Sequence, residues 1–188
     1  AEGLLKKAAV FDSKKLEWMN GQHMSLTPAA ELEPIVSPLA IQAGFTTAQE
    51  LRDRREWWLT LLDLLRVRAR TTHDIVRQAA TYFADKASYD DDAVAKHWKD
   101  RAAAATILGF TRDKLATTEW NAAAMEEALR AMAEEKGLSS GKVFQPLRVA
   151  LVGQLASPGI FDVLMVLGRE KSLARLDAAV EYLGRSSG

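Results

Sequence analysis

Three groups of residues in this 188-residue chain have types and spacings suited to chemistry. The first is Gln145 and Arg148, a polar pair set in the apolar run GKVFQPLRVALVG with Pro146 between them. Three residues apart, they share one helix face. A Gln amide both donates and accepts hydrogen bonds, and a guanidinium donates through a rigid planar fork. The second is Ser157-Pro158-Gly159, heading the apolar run IFDVLMVLG. A capping hydroxyl, a proline that needs no N–H and a glycine that admits close approach predict a helix start. Its N-terminal amides could receive an electronegative group, and Ile160 and Phe161 follow as its first apolar residues. The third is Arg66, Arg68 and Arg70 in LLRVRART, at the end of a long predicted helix. Each group has a plainer alternative: a Gln cap with an Arg ion pair between packed helices, an ordinary Ser-Pro helix start with Phe161 in the core, and a solvated basic face.

These groups suit recognition rather than bond making. The chain has no cysteine, which removes disulfides, thiolate metal sites and Cys nucleophiles. Its three histidines, His23, His73 and His97, are scattered, and none sits in a catalytic or zinc-binding pattern. No catalytic residue and no metal is expected. Lys plus Arg and Asp plus Glu balance at 25 each, which weighs against indiscriminate nucleic-acid binding and leaves room for a local basic face. No apolar run approaches the ~20 residues of a membrane span. The N-terminus has no signal-peptide pattern. The chain does not begin with Met and ends RSSG, which suggests a piece excised from a longer protein, and a processed protein would look similar.

Nearly every segment reads as helix: Ala, Leu, Glu, Lys and Arg dominate, and strand-like alternation is absent. The predicted fold is all-α. Asp12 caps a helix with Leu16 and Met19 on one face. Thr27-Pro28 opens the next, and Pro34 and Ser37-Pro38 break that region into short pieces up to Gly44. Thr47 and Glu50 form a capping box that starts a long helix through about Arg68, with Leu51, Trp58, Leu61, Leu62 and Leu65 inward. Thr71 with Asp74 opens a helix carrying Ile75, Ala79 and Tyr82. Asp90, Asp91 and Asp92 suit a helix N-terminus; that helix passes Val94 and Trp98 and weakens at Gly109. A helix from Asn121 ends at Gly137. Helices around 141–152, from Pro158, and from Glu170 to Leu183 complete the chain. The expected division is 1–45, 46–116 and 117–188, with the main break near 109–120. Trp18, Trp57, Trp58, Trp98 and Trp120 read as core rather than stacking platforms, although Trp57 and Trp58 cannot both face one core.

Three stretches carry a resemblance. FDSKKLEWMNGQHM (Phe11–Met24), LLRVRARTTHDIVRQAATYF (Leu64–Phe83) and GKVFQPLRVALVG followed by SPGIFDVLMVLG occur in this order over almost the whole chain. Together they resemble the C-terminal anticodon-binding region of bacterial-type glutamyl-tRNA synthetases, a class I aminoacyl-tRNA synthetase family. The resemblance implies a helical cage of two anticodon-binding subdomains, preceded by a short stem-contact-like segment at 1–45. It implies a cytoplasmic monomer that binds glutamate tRNA, tRNA(Glu), with no membrane association. The family's His-x-Gly-His-like and Lys-Met-Ser-Lys-like motifs are absent. ATP, Mg²⁺ and glutamate are therefore expected in a catalytic domain outside this chain, with no cofactor inside it.

The resemblance also assigns roles. Arg68 matches the arginine that reads the third anticodon base, with Arg66 and Arg70 as register alternatives. Gln145 and Arg148 match residues that approach the first two bases; a Gln edge and a guanidinium suit an unstacked base. Ser157, Pro158, Gly159, Ile160 and Phe161 match the turn against a splayed base, and core packing is the stronger reading for Phe161. Ser157 and Ile160 depart mildly from residues common in the family. Lys6, Lys7, Lys14 and Lys15 fit either an inner tRNA contact or a solvated face. An arginine at 68 argues against a relative that also charges glutamine tRNA. The rival reading is a helical protein-interaction module with no RNA role, supported by the neutral charge, the Ala-rich helices and a Trp-rich surface.

Overall fold

A computed structural model describes residues 24–185. The expectations at Asp12, Leu16, Met19, Trp18, His23, the four N-terminal lysines and most of Phe11–Met24 lie outside those residues. No strand occurs among the described residues. The chain divides into two compact units, Ala1–Phe83 and Ala84–Gly188.

The first unit contains α1 (Ala29–Ala43), α2 (Ala48–Asp53), α3 (Arg55–Arg66) and α4 (Thr72–Phe83). α1 is continuous, although Pro34 and Pro38 were expected to break it. Both prolines lie on its exposed face, where carbonyls that lose a partner meet water. Leu32, Val36 and Ala40 on the opposite face are buried and hold the helix against α3 and α4. The Thr47 hydroxyl accepts the Glu50 amide at 3.1 Å, as the capping box requires. The helix it starts breaks at Arg54 (φ −114°, ψ 34°), so the long expected helix is two. Amide hydrogen bonds from Arg54 to Glu50 and from Trp58 to Arg54 carry across the break. Trp58, Leu61, Leu62, Leu65, Ile75, Ala79 and Tyr82 form the core. Trp58 donates to the Ser37 hydroxyl at 2.9 Å. Trp57 is half-buried, under Arg54 on one side and against the edge of Phe83 on another.

The second unit contains α5 (Asp91–His97), α6 (Arg101–Ala116), α7 (Ala122–Glu135), α8 (Ser140–Val152) and α9 (Ile160–Gly184). Asp100 and Asn121 cap α6 and α7 through side-chain oxygens. Gly109 sits inside α6 without interrupting it, and α6 packs against α7, α8 and α9. The units therefore divide at Phe83–Ala84, and the break expected near 109–120 falls within the second. Leu108, Leu115, Met125, Leu129, Leu147, Leu164 and Leu176 are buried between these helices. Trp98 is 1% exposed, packs against Tyr89 and Tyr182, and donates to the Pro146 carbonyl at 3.2 Å. α9 is two helical pieces joined at Gly168 (φ 82°, ψ 166°), a backbone conformation open to glycine.

Candidate functional site

In the second unit the structure brings Gln145, Arg148, Ser157 and Pro158 together. Arg148 is half-buried on α8. Its Nη1 donates to Gln145 Oε1 at 2.6 Å and its Nε to Ser157 Oγ at 2.8 Å. The first bond follows from the three-residue spacing on one helix face. The second spans the loop between α8 and α9. Ser157 Oγ in turn donates to its neighbour's carbonyl, Pro158 O, at 2.7 Å. Both of these acceptors are neutral, and together the two bonds orient the guanidinium.

The geometry corrects the reading of Ser157 as a helix cap. The N-cap position of α9 is Gly159, without a side-chain cap bond, and helix begins at Ile160. Ser157 is 8% exposed and serves the arginine instead. Gly159 is exposed and Pro158 half-buried, so the loop presents its backbone outward there. Ile160 is only 5% exposed and belongs to the core. Phe161 is intermediate: its ring meets Phe144 edge-on at 5.4 Å, and Arg130 lies over Phe144 at 5.2 Å.

An open groove of about 560 Å³ adjoins this cluster, and Gln145 lines both. Lys96, His97, Lys99 and Lys142 also border it. Burial first, then the nearby charges of Lys96 and Arg148, push His97 below its ordinary pKa. None of the three lysines was singled out from the sequence; for Lys142 the spacing of one helical turn before Gln145 was an available signal, and Lys96 and Lys99 carried none.

Arg68 lies in the first unit, exposed, in the connection 67–71 between α3 and α4. Of its register alternatives, Arg66 bonds Asp63 Oδ1 at 2.8 Å and the Ser25 carbonyl, which commits its side chain to packing. The connection is fixed just past Arg68. Asp74 Oδ2 accepts the amides of Arg70 at 3.0 Å and Thr71 at 3.2 Å, and Thr71 Oγ1 accepts the Asp74 amide at 3.1 Å. This is the capping box the sequence indicated. Burial raises the Asp74 pKa, but the two amides and Arg77 together outweigh it and hold the carboxyl below its ordinary value.

A depressed carboxylate stabilises the fold above its unfolded pKa, about 3.9 for Asp, and that contribution is lost as pH falls through the lower folded value. Asp74→Ala is expected to destabilise the chain by about 1–2 kcal/mol at neutral pH, the range for a lost charged cap. In urea titrations the gap between variant and wild type should narrow below about pH 4. A gap independent of pH would assign the loss to something other than the carboxylate.

Among the described residues no helix is long and apolar enough to cross a membrane, and no group of three or more His, Asp or Glu is placed to hold a metal.

A family model described as an anticodon binding domain matches residues 29–180. The glutamate–tRNA ligase of Moorella thermoacetica is 34% identical over 183 residues, covering 97% of this chain and 37% of that protein. That of Afipia carboxidovorans is 40% identical over 178 residues, covering 93% and 37%. A crystal structure of a glutamate tRNA ligase from Elizabethkingia meningosepticum, in complex with its amino acid, matches at a TM-score of 0.75 and 26% identity, covering 89% of this chain and 32% of that one. The chain thus spans 37% of the length of these two curated relatives. The matched span runs from the first residue of α1 into the last turns of α9, and the chain belongs to the anticodon binding domain family.

Proposed function

We propose that the chain reads the anticodon of glutamate tRNA as the C-terminal part of a glutamate–tRNA ligase. Bond formation with glutamate, ATP and Mg²⁺ then belongs to a catalytic domain elsewhere in that enzyme, which works in the cytoplasm. The observation that carries this reading is the hydrogen-bonded Gln145–Arg148–Ser157 cluster within the anticodon-binding match. An arginine held by Gln145 and Ser157 offers a planar donor to a base or a phosphate. Gln145 offers amide groups to a Watson–Crick edge, and the exposed backbone at Gly159 lets a base come close. Arg68 supplies a second planar donor, for the third anticodon base. The family match leaves the protein-interaction reading without a specific observation in its favour.

Gel-shift titration against glutamate tRNA and an anticodon-swapped control tests the proposal. Tighter binding of glutamate tRNA is expected. Arg148→Ala should weaken it by about 1–3 kcal/mol and relax the preference at the first two anticodon positions. Arg68→Ala should relax it at the third. Equal affinity of the wild-type chain for both RNAs would sink base-specific recognition.

A further inference from the structure

The groove beside Gln145 has a composition that the anticodon bases do not account for. Its floor is apolar, with Ile107 and Leu138 half-buried, while its rim is cationic. Lys96 comes from α5, Lys99 from the α5–α6 connection and Lys142 from the first turn of α8. All three are exposed, and all three line one groove although 46 positions separate Lys96 from Lys142. One carboxylate, Asp100, also lines the groove; its Oδ1 accepts the Ala103 amide at 3.0 Å as the cap of α6, which fixes its position but leaves its charge, so three lysines face one aspartate. A formally neutral chain with 25 charges of each sign has here concentrated cations around a cleft. At about 560 Å³ and open to solvent, the cleft can take a length of extended chain. It is continuous with the arginine cluster, because Gln145 both lines it and bonds Arg148.

We propose that this groove carries the phosphate backbone of the RNA strand flanking the Gln145–Arg148–Ser157 cluster, with Lys96, Lys99 and Lys142 as its phosphate contacts. The inference rests on the anticodon reading for the identity of the polyanion. Lysine suits a phosphate strand, because a compact point charge on a flexible stem follows each phosphate without demanding a fixed orientation. Such contacts add affinity and salt dependence but no base preference, since phosphates carry no sequence. The groove and the arginine cluster thus divide the work between grip and readout.

Two measurements on the full chain test this. In the first, the wild-type protein is acetylated with and without an anticodon stem-loop RNA, and each lysine is followed by mass spectrometry. Protection of Lys96, Lys99 and Lys142 by several-fold is expected, with Lys114, which is exposed and outside the groove, as the unprotected reference. No variant has to fold for that result. In the second, the salt dependence of binding is compared between wild type and a Lys96→Ala, Lys99→Ala, Lys142→Ala triple variant. Each single-strand phosphate contact contributes about 0.7 to the slope of log affinity on log salt, so the triple variant should lose about 2. Its ratio of affinities for native and anticodon-swapped RNA should stay unchanged. An unchanged slope, or lysines left unprotected by saturating RNA, overturns the groove alone. A wild-type chain indifferent to the anticodon overturns the base reading, and the slope still decides the groove.

Discussion

Gly153→Ala is expected to destabilise the chain by about 3–5 kcal/mol. Gly153 closes α8 with φ +73°, a left-handed conformation that strains any side chain by about 1–2 kcal/mol. Space is the harder limit. A Cβ there would sit 1.8 Å from the Ser88 carbonyl oxygen and 2.6 Å from its carbon. Those are backbone atoms, so no rotamer change relieves the clash. The Gly153 carbonyl also accepts the Asp90 amide at 2.8 Å, fixing the chain just before α5 against the end of α8. Moving either segment apart sacrifices that bond, at about 1–3 kcal/mol for a group left unsatisfied. Gly109→Ala is the matched control. Gly109 is helical with nothing within 4 Å of an added Cβ, so alanine there should stabilise by about 0.5–1 kcal/mol. Urea titration of the two variants should read opposite signs, because Gly153 has both a left-handed φ and a backbone neighbour where a Cβ would go, and Gly109 has neither. Equal effects would show that helix propensity alone explains both. Gly153→Ala should also weaken RNA binding, because the loop that begins at Gly153 carries Ser157 to Arg148.

Much of the fold was legible because its signals are local. The boxes at Thr47–Glu50 and Thr71–Asp74, the Asn121 cap and the Gly137 stop each depend on residues three or four positions apart. The apolar stripes of α3 and α4 have the same reach. Failures came where distant packing decided. Pro34 and Pro38 look like breakers until their exposed face and the buried Leu32–Val36–Ala40 face are seen together. Gly109 looks like a stop, but the packing of α6 against α9 carries the helix through it. The unit boundary followed the same logic, since residues 84–116 pack with what comes after them.

The candidate site divides in the same way. The shared face of Gln145 and Arg148 was readable from spacing, and so was the Ser-Pro-Gly turn. That Ser157 would leave the cap role and accept from Arg148 was not, because the competing donor lies nine positions back on another helix. The cationic rim was hidden for a similar reason: Lys96 and Lys99 flank a buried tryptophan and read as ordinary solvated lysines. A balanced overall charge says nothing about where the charges gather.

Arg175→Leu is expected to cost about 3–5 kcal/mol, although it replaces a charge with an apolar side chain in an apolar setting. Arg175 is 1% exposed within the stripe that buries Leu176, Ala179 and Leu183. Its Nη1 donates to the Leu151 carbonyl at 2.6 Å and its Nη2 to the Ala84 carbonyl at 2.7 Å. Leu151 lies in the last turn of α8, where carbonyls lack intrahelical donors and the helix dipole is negative. The guanidinium therefore caps α8 from within the core and ties it to the chain at Ala84. Leucine would fill much of the volume but leave two carbonyls without these donors, at about 1–3 kcal/mol each. Arg175→Lys separates charge from geometry: it keeps the cation but lacks the fork that reaches both oxygens, so it should recover only part of the loss. Urea midpoints at unchanged m-values measure each step. A leucine variant within about 1 kcal/mol of wild type would mean that hydrophobic burial replaces the internal cap outright, as some buried charges allow. Because α8 also carries Gln145 and Arg148, a loosened α8 end should lower RNA affinity before the unit unfolds if the proposed reading of the anticodon holds, which would tie this core arginine to the proposed surface site.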